Sequence, residues 1–275
     1  MNKPLVSIVM ATFNRASQLK DTIDNIYQQE YSNLELIVIN DGSSDDTLVT
    51  LKNIQKTYKF VILNNSENFG LQKSLNLGVQ QANGKYIARI DDHDRWIIKS
   101  KLTRQVSFME LNSNVGIVGT GYEVNGKNMI NPITDTEIRN QILLRSPFCH
   151  VSVLMLKSVL DQVGRYNEDL SYSEDWDLWL NMGRYSEFAN LPDIMVAIQE
   201  EDLSLSGNYF LKQLPINRQI AKRYYKYYPR KIRAFLYHQF LRLFFAVAPV
   251  NGFFHKLMKS IFLHFFTLLP KKNVS

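Results

Sequence analysis

The sequence predicts an α/β protein with a mostly parallel sheet flanked by helices, followed by a helical C-terminal extension. Short apolar runs rich in β-branched residues alternate with segments of helical spacing through the first hundred residues. Polar residues follow directly after each apolar run. The charge is also divided, because the first 202 residues hold all 26 acidic residues and the remainder holds 13 Lys and Arg. A basic excess confined to one end argues against a nucleic-acid-binding protein.

The apolar runs have the character of strands that are buried on both faces of a parallel sheet. They are Val6–Thr12, Leu34–Asn40, Phe60–Leu63 and Tyr86–Ile90. Helical spacing predicts helices at Gln18–Gln29, Thr47–Tyr58 and Leu71–Ala82. Strand and helix alternation implies right-handed crossovers between parallel strands.

After Asp94 the alternation becomes less regular. We expect helices at Lys99–Leu111 and Asp175–Met182, strands at Val115–Tyr122 and His150–Leu156, and a hairpin turn at Asn125-Gly126. From about Leu211 the chain is helical, basic and aromatic.

Four polar loops are predicted at one edge of the sheet, because ligands of parallel sheets bind beyond the carboxyl ends of the strands. The loops are Thr12–Arg15, Asn40–Ser44, Asn65–Gly70 and Asp91–Asp94. Their convergence predicts a binding site.

The segment Arg89–Asp94 places three carboxylates and one imidazole within four residues. Such groups repel one another unless a cation offsets them, and Asp91 and His93 could both ligate one divalent ion. The alternative is a solvated acidic turn in which Asp94 favours the start of a helix.

The other loops also allow two interpretations. Asp41 could accept hydrogen bonds from a ribose or a base, whereas Ser44 and Asp45 are explained by helix capping. Arg15 and Lys73 could contact phosphates or have surface roles.

The segment Ser173-Glu174-Asp175-Trp176 opens a helix with two acids, which stabilise a first helical turn without any further function. The functional alternative is a carboxylate base, with Trp176 as a sugar contact or a packing residue. Trp96 is a further candidate for a sugar or acceptor contact. His150 is expected to be a structural, hydrogen-bonded histidine.

The single cysteine, Cys149, excludes an internal disulfide framework and fits a reducing compartment. No signal-peptide pattern is present at the N-terminus, and no apolar run reaches the length of a membrane span. We therefore expect a cytoplasmic protein.

Five motifs in order resemble glycosyltransferase family 2 over roughly residues 5–205. They are Val6–Arg15, Leu36–Asp45, Asn68-Phe69-Gly70 through Asn76-Leu77-Gly78, Tyr86–Asp94 and Ser173–Trp176. The resemblance implies a GT-A fold and an inverting transferase that uses a nucleotide-diphosphate sugar, most often a UDP-sugar. It also implies that Asp41 contacts the nucleoside, that Asp91-Asp92-His93 hold the divalent ion and the diphosphate, and that Asp175, beside Glu174, is the general base. The remaining expected nucleotide-sugar contacts are Thr12, Asn14, Arg15, Asn68, Gly70 and Arg89.

The sequence departs from the family pattern twice. His93 stands where relatives carry a second Asp, and an imidazole ligand favours Mn²⁺ over Mg²⁺. Many relatives also carry a His in the stretch that corresponds to 198–204, where this chain has none. Either Gln199 or Glu200 fills that place, or the ion has fewer protein ligands.

We predict a catalytic domain at 1–205 and a tail at 206–275. The nucleotide-sugar half of the domain would be about 1–95 and the acceptor half about 96–205. In the tail, two amphipathic stripes separated by Pro249 and Gly252 suit the surface of an anionic membrane across 230–270. The alternatives are packing on the catalytic domain and a dimer interface.

These features predict a glycosyltransferase on the inner face of the cell membrane that extends a lipid-linked saccharide, as in lipopolysaccharide, capsule or glycolipid assembly. The alternative is a non-catalytic nucleotide-sugar or membrane-binding module. A nucleotidyltransferase is disfavoured, since no glycine-rich phosphate loop follows the first strand.

Overall fold

The computed structural model describes residues 3–198 and 207–247. The first half alternates strands and helices: β1 (Val6–Thr12), α1 (Leu19–Tyr27), β2 (Leu34–Asn40), α2 (Thr47–Ile54), β3 (Val61–Asn64), α3 (Leu71–Gln81) and β4 (Tyr86–Arg89). There follow β5 (Arg95–Trp96), α4 (Lys101–Leu111), β6 (Val115–Val124), β7 (Lys127–Met129) and α5 (Asp135–Arg139). The rest comprises β8 (Leu154–Leu156), α6 (Lys157–Gln162), α7 (Glu174–Met182), β9 (Glu187–Ile198), α8 (Gly207–Tyr224) and α9 (Lys231–Val247).

One mixed sheet organises these elements in the order β3-β2-β1-β4-β8-β6-β9-β5, with β7 paired to β6. The strands β3, β2, β1 and β4 are parallel neighbours, and β6 pairs in parallel with β9. Strand β8 runs antiparallel to both β4 and β6 and so joins the two parallel groups. The prediction of a mostly parallel sheet between helices is confirmed.

Apolar side chains cover both faces of the sheet. The residues of α1, α2 and α4 pack on one face, and those of α3, α6, α7 and α8 pack on the other. Gly78 of α3 lies against β1 and β2, where a Cβ atom would come within 2.6 Å of Val9 and Ile39 side-chain atoms. The sheet therefore forms the middle of three layers, with α3 packed closely against β1 and β2.

The predicted first-half elements match the structure to within a few residues at their ends, and the hairpin turn at Asn125-Gly126 is confirmed between β6 and β7. Two local predictions were wrong. Strand β3 is an edge strand with Val61 37% exposed, so it is not buried on both faces. Residues His150–Ser152 form a short 3₁₀ turn instead of a strand, because both the amide and the hydroxyl of Ser152 donate to the Cys149 carbonyl.

The described part of the tail packs against the layer of the fold that contains α7. Ile220, Ala221 and Tyr224 of α8 belong to the same apolar core as α7. The Tyr228 hydroxyl, between α8 and α9, donates to the Leu180 carbonyl at 2.7 Å. In α9, Ala234 and Leu241 are buried, and the His238 ring bonds the Leu143 carbonyl at 2.9 Å.

The outer face of α9 carries three apolar residues of the amphipathic stripe predicted from the sequence. Ile232 is 71% exposed, Leu236 55% and Phe235 46%, so these apolar residues face away from the domain. The face of α9 with Ala234, His238 and Leu241 thus packs on the domain, whereas the exposed apolar residues do not. The second predicted stripe, beyond Pro249, lies outside the described residues, as does everything from 248 to the C-terminus.

We predict that Tyr228→Phe lowers the free energy of unfolding by about 1–2 kcal/mol, because the buried Leu180 carbonyl loses its side-chain donor. Urea denaturation measures the loss. The neighbouring Tyr227, which is 41% exposed, supplies the matched control Tyr227→Phe, for which we expect almost no change. Equal losses in the two variants would contradict docking of the tail through Tyr228.

Candidate active site

The loops after β1 and β2 are bound to each other at the carboxyl edge of the sheet. Asn14 adopts a left-handed backbone (φ 54°), and its side-chain oxygen accepts the Ser44 amide at 2.9 Å. In return the Asn14 amide donates to the Ser43 hydroxyl at 2.9 Å. The Arg15 amide donates to the Thr47 hydroxyl at 3.0 Å, which joins this loop to the start of α2.

Asp41 holds the next loop in place. Its buried carboxylate accepts the amides of Phe69 and Gly70 at 2.9 and 3.0 Å and the Asn65 side chain at 2.8 Å. The Gly70 amide also donates to the Asn68 side-chain oxygen at 3.0 Å. Gly70 adopts φ 89°, ψ 159°, a conformation that glycine reaches and other residues rarely adopt. The six predicted contacts Thr12, Asn14, Arg15, Asp41, Asn68 and Gly70 therefore lie in three adjoining loops.

Two buried polar atoms at this edge have no hydrogen-bond partner among the described residues. They are Thr12 Oγ1 and Asn40 Oδ1, at the carboxyl ends of β1 and β2. Buried polar groups in native proteins are almost always paired. Their position beside the three loops is therefore suited to a polar ligand.

Beyond β4, the acidic motif is organised by a buried cation. The Arg89 side chain is 1% exposed and forms an ion pair with the Asp91 carboxylate. Burial is the largest single influence and opposes ionisation of Asp91, but the charge and hydrogen bond of Arg89, together with the nearby His150 and His93, hold the pKa of Asp91 below its usual value. Asp92 lies next to Asp91, and its carboxylate accepts a hydrogen bond from His93 Nδ1 at 2.9 Å. That bond raises the pKa of His93.

The predicted base stands at the start of α7, within the electrostatic reach of the motif. Burial raises the pKa of Glu174, the Asp91 carboxylate raises it further, and Arg89 opposes the rise. Burial and the neighbouring Glu174 charge raise the pKa of Asp175 to about 7. The two acids at α7 are thus harder to ionise than Asp91, although all three lie at one site.

A buried aromatic layer lies under these acids. The His150 ring is 2.9 Å from the Tyr166 hydroxyl, as expected for a structural histidine, and burial lowers the pKa of His150 to about 3. The indole nitrogen of Trp179 is buried and has no hydrogen-bond partner of good geometry among the described residues. It nevertheless lies close enough to the Asp175 carboxylate to lower the pKa of Asp175.

Several supporting residues could not be recognised from the sequence. Gln72 of α3 donates to the Leu170 carbonyl at 2.8 Å, and its hydrogen bond to the ionised Glu174 carboxylate opposes the rise in the pKa of Glu174. Helix α3 therefore holds the segment that leads into α7. Asn217 of α8 accepts the Ser173 hydroxyl at 2.6 Å, directly before Glu174. Ser173 has a left-handed backbone (φ 59°). A polar position on an amphipathic helix gives no signal for such contacts.

The structure corrects the two tryptophans predicted to contact the sugar or acceptor. Trp96 is 1% exposed and its indole donates to the Val151 carbonyl at 3.1 Å. Trp176 is 3% exposed and donates to the Ile142 carbonyl at 2.6 Å. Neither ring presents a free face, because in both the polar edge and the apolar body are already buried in the core.

Asp91 and His93 are the two predicted metal ligands, and both side chains are partly exposed. Within residues 3–198 and 207–247, no three His, Cys, Asp or Glu side chains form a cluster that could hold a metal ion. The stretch with Gln199 and Glu200, considered above for a further ligand, lies outside the described residues.

Residues 7–164 match the sequence profile described as glycosyl transferase family 2. An uncharacterized glycosyltransferase of Haemophilus influenzae is 32% identical over 247 residues, covering 84% of this chain and 76% of the relative. The Escherichia coli protein WfaP, named UDP-Glc:α-D-GlcNAc-diphosphoundecaprenol β-1,3-glucosyltransferase, is 28% identical and covers 98% of this chain and 99% of its own length.

Solved structures share the fold at low identity. Staphylococcus aureus TarS in complex with UDP-GlcNAc is 16% identical with a TM-score of 0.67, covering 90% of this chain and 74% of that one. The mannosyltransferase PcManGT of Pyrobaculum calidifontis, in complex with GDP-Man and Mn²⁺, is 17% identical with a TM-score of 0.65, covering 98% and 82%. The expectation of a GT-A fold is confirmed. The chain belongs to glycosyltransferase family 2, and it is a transferase.

Proposed function

We propose that this glycosyltransferase moves one sugar, with inversion, from a nucleotide-diphosphate sugar to a hydroxyl of a lipid-linked saccharide in surface-glycan assembly. The observation that carries the proposal is the contrast between Asp91, whose pKa is lowered, and Asp175, whose pKa is raised to about 7. One carboxylate remains ionised and the other can exchange a proton near neutral pH. A UDP-sugar donor and a lipid-linked acceptor are supported by the full-length similarity to WfaP.

The donor would bind across the three loops after β1, β2 and β3. Asn14, Arg15 and Asn68 are exposed or partly exposed there, and Asp41 has one carboxylate oxygen with a single protein donor. In this proposal Asp41 contacts the nucleoside while it also holds Gly70. Thr12 lies at the same edge with an unpaired hydroxyl. The proposed diphosphate position is beside Asp91 and Asp92, under the fixed charge of Arg89.

The residues present fit a divalent ion held by Asp91 and His93, with diphosphate oxygens completing the shell. Asp92 engages His93 Nδ1, which leaves Nε2 as the ligand atom, and a carboxylate behind a ligating imidazole is common at metal sites. When bound, the ion would neutralise the charge that develops on the leaving diphosphate. An imidazole ligand favours Mn²⁺ over Mg²⁺.

Asp175 would take the proton of the acceptor hydroxyl as that oxygen attacks the anomeric carbon. A sugar hydroxyl is a weak acid, so a base with a pKa near 7 is well matched to the task. Glu174 raises the pKa of Asp175, and Gln72 and Asn217 hold the segment that leads into α7, where both acids lie. Attack opposite the leaving diphosphate would invert the anomeric centre.

The acceptor is proposed to approach from a membrane, with the protein attached to the inner face of the cell membrane through residues 230–270. Exposed Ile232, Phe235 and Leu236 lie on one side of α9, and Lys231 and Arg242 are exposed cations of the same helix. Aromatic and aliphatic residues with flanking cations suit an anionic membrane surface. None of the helices in residues 3–198 and 207–247 is long and apolar enough to cross a membrane.

We predict that Asp175→Asn lowers the transfer rate at least 100-fold, in the range that general-base catalysis supplies. Transfer and donor hydrolysis are measured with UDP-, GDP- and dTDP-sugars, and nucleotide binding by thermal shift should be retained. In the wild-type protein the rate should fall as the pH drops below about 7, because Asp175 becomes protonated. A variant that keeps wild-type activity and pH dependence would contradict the role of Asp175.

We predict that His93→Asp shifts the metal preference from Mn²⁺ towards Mg²⁺, because it replaces the nitrogen ligand by a second carboxylate. Rates are compared at saturating concentrations of each ion, with His93→Ala as the control that removes the ligand without replacing it. An unchanged ratio of Mn²⁺ to Mg²⁺ rates in both variants would exclude His93 as a ligand.

We predict that Phe235→Ser/Leu236→Ser weakens binding to vesicles of anionic phospholipid at least tenfold, as the loss of two exposed apolar side chains requires. Vesicle co-sedimentation measures binding. The matched control is Val49→Ser/Leu111→Ser, which changes residues that are 58% and 85% exposed on α2 and α4. Equal binding by the wild type and the Phe235/Leu236 variant would argue against membrane contact through α9.

A further inference from the structure

A polar groove lies on the side of α7 that faces away from the proposed base. Asp177 follows Asp175 by two residues, about 200° around the helix, and so belongs to the opposite face. With Asn181 and Arg184 it forms one side of a cavity of about 660 Å³. The end of α8 and the loop 163–168 form the other sides.

The groove carries more positive than negative charge. Two of its arginines are neutralised: Arg223 pairs with Asp177 at 3.0 Å, and Arg165 pairs with Asp161 at 2.9 Å. Arg184 and Lys226 form no ion pair with any residue in the described ranges. A second cavity of about 230 Å³, which shares Arg165 with the first, adds Lys73 to the same surface.

The two uncompensated cations are held in place by neutral partners. The Arg184 guanidinium lies 4.3 Å from the centre of the Tyr227 ring and donates to the Asn181 side chain at 2.7 Å. The Lys226 ammonium lies 4.9 Å from the same ring. Contact with an aromatic ring orients a cation without neutralising it. Both side chains are exposed, so their charges remain available to a ligand.

The other lining groups are those that bind saccharides and oxyanions. Asn76 and Asn181 line the groove with amides that already bond the Tyr166 backbone and Arg184, and Tyr227 offers a 41% exposed ring. Glu168 brings one acidic group, which is bonded to the Asn76 amide at 2.8 Å. The volume lies in the range of small-molecule sites.

The cations of the groove lie outside the part of the chain that the family profile matches. The family profile ends at residue 164, and the cations that line the groove follow that point, apart from Lys73 in the side cavity. Tyr166 lines the groove and also bonds His150 under the proposed base, so the groove adjoins the acceptor half of the active site.

We propose that this groove binds a phosphate or carboxylate group carried by the saccharide acceptor, with Arg184 and Lys226 as its main charged contacts. The assignment of the ligand to the acceptor rests on the proposed function. The binding itself follows from the groove: arginine pairs with planar or tetrahedral oxyanions through its fixed donors, and lysine adds a point charge. The ring of Tyr227 is exposed beside both cations and can contact the attached sugar.

The test is a titration of the full chain with inorganic pyrophosphate, glucuronate and glucose, followed by the nuclear magnetic resonance signals of each probe. EDTA is present and His93→Ala is measured in parallel, so that binding at the proposed metal site is removed. We expect pyrophosphate, glucuronate or both to bind, with at least tenfold lower affinity in Arg184→Gln/Lys226→Gln. Glucose should show no dependence on these residues.

The matched control Lys52→Gln/Lys56→Gln removes the same charge from exposed positions of α2 and its C-terminal end. It should leave the affinities unchanged. Loss with pyrophosphate alone would assign the groove to a phosphate linkage, and loss with glucuronate alone to an acidic sugar. The proposal is overturned if neither anion binds, or if both double variants behave alike. Because no sugar transfer is needed, these outcomes are independent of whether the proposed reaction is correct.

Discussion

The ion pair between Arg89 and Asp91 is the interaction on which the rest of the site depends. The Arg89 guanidinium is almost fully buried at the end of β4, where desolvation is costly unless a counter-charge is close. Asp91 supplies that charge and in turn remains ionised, although Glu174 and other acids surround it. The same cation opposes the rise in the pKa of Glu174. One buried charge therefore helps to keep the pKa of Asp91 low beside two acids whose pKa values are raised.

The first half of the fold and most of the donor edge follow directly from local sequence patterns. Strands such as Val6–Thr12 are set by continuous β-branched runs, and their polar ends meet because parallel strands share a carboxyl edge. Contacts between distant segments could not be predicted in this way. Tryptophan is also the residue type of exposed sugar-binding surfaces, so the sequence does not reveal that Trp96 and Trp176 are buried. Their indoles donate to carbonyls of residues more than thirty positions away in the chain.

The faces of α9 illustrate a second limit of pattern analysis. Spacing identifies an amphipathic helix, but it does not state which face meets the domain. In the structure the contact is made by Ala234, His238 and Leu241, since a small side chain permits close approach and the imidazole finds the Leu143 carbonyl. The more apolar stripe with Phe235 is left on the outside. Among the side chains of α9 that the structure describes, Ile232, Phe235 and Leu236 therefore take no part in this packing.

The C-terminal helices also contact the helix that carries the proposed base. Asn217 bonds Ser173 directly before Glu174, and Arg223 neutralises Asp177 two residues after Asp175. Both contacts fix the first turns of α7, where a shift of about 1 Å in a base is enough to reduce catalysis strongly. Helix α8 thus contacts α7 and the residue before it on both sides of the proposed base in the sequence, and its Arg223 also lines the groove proposed to bind the acceptor.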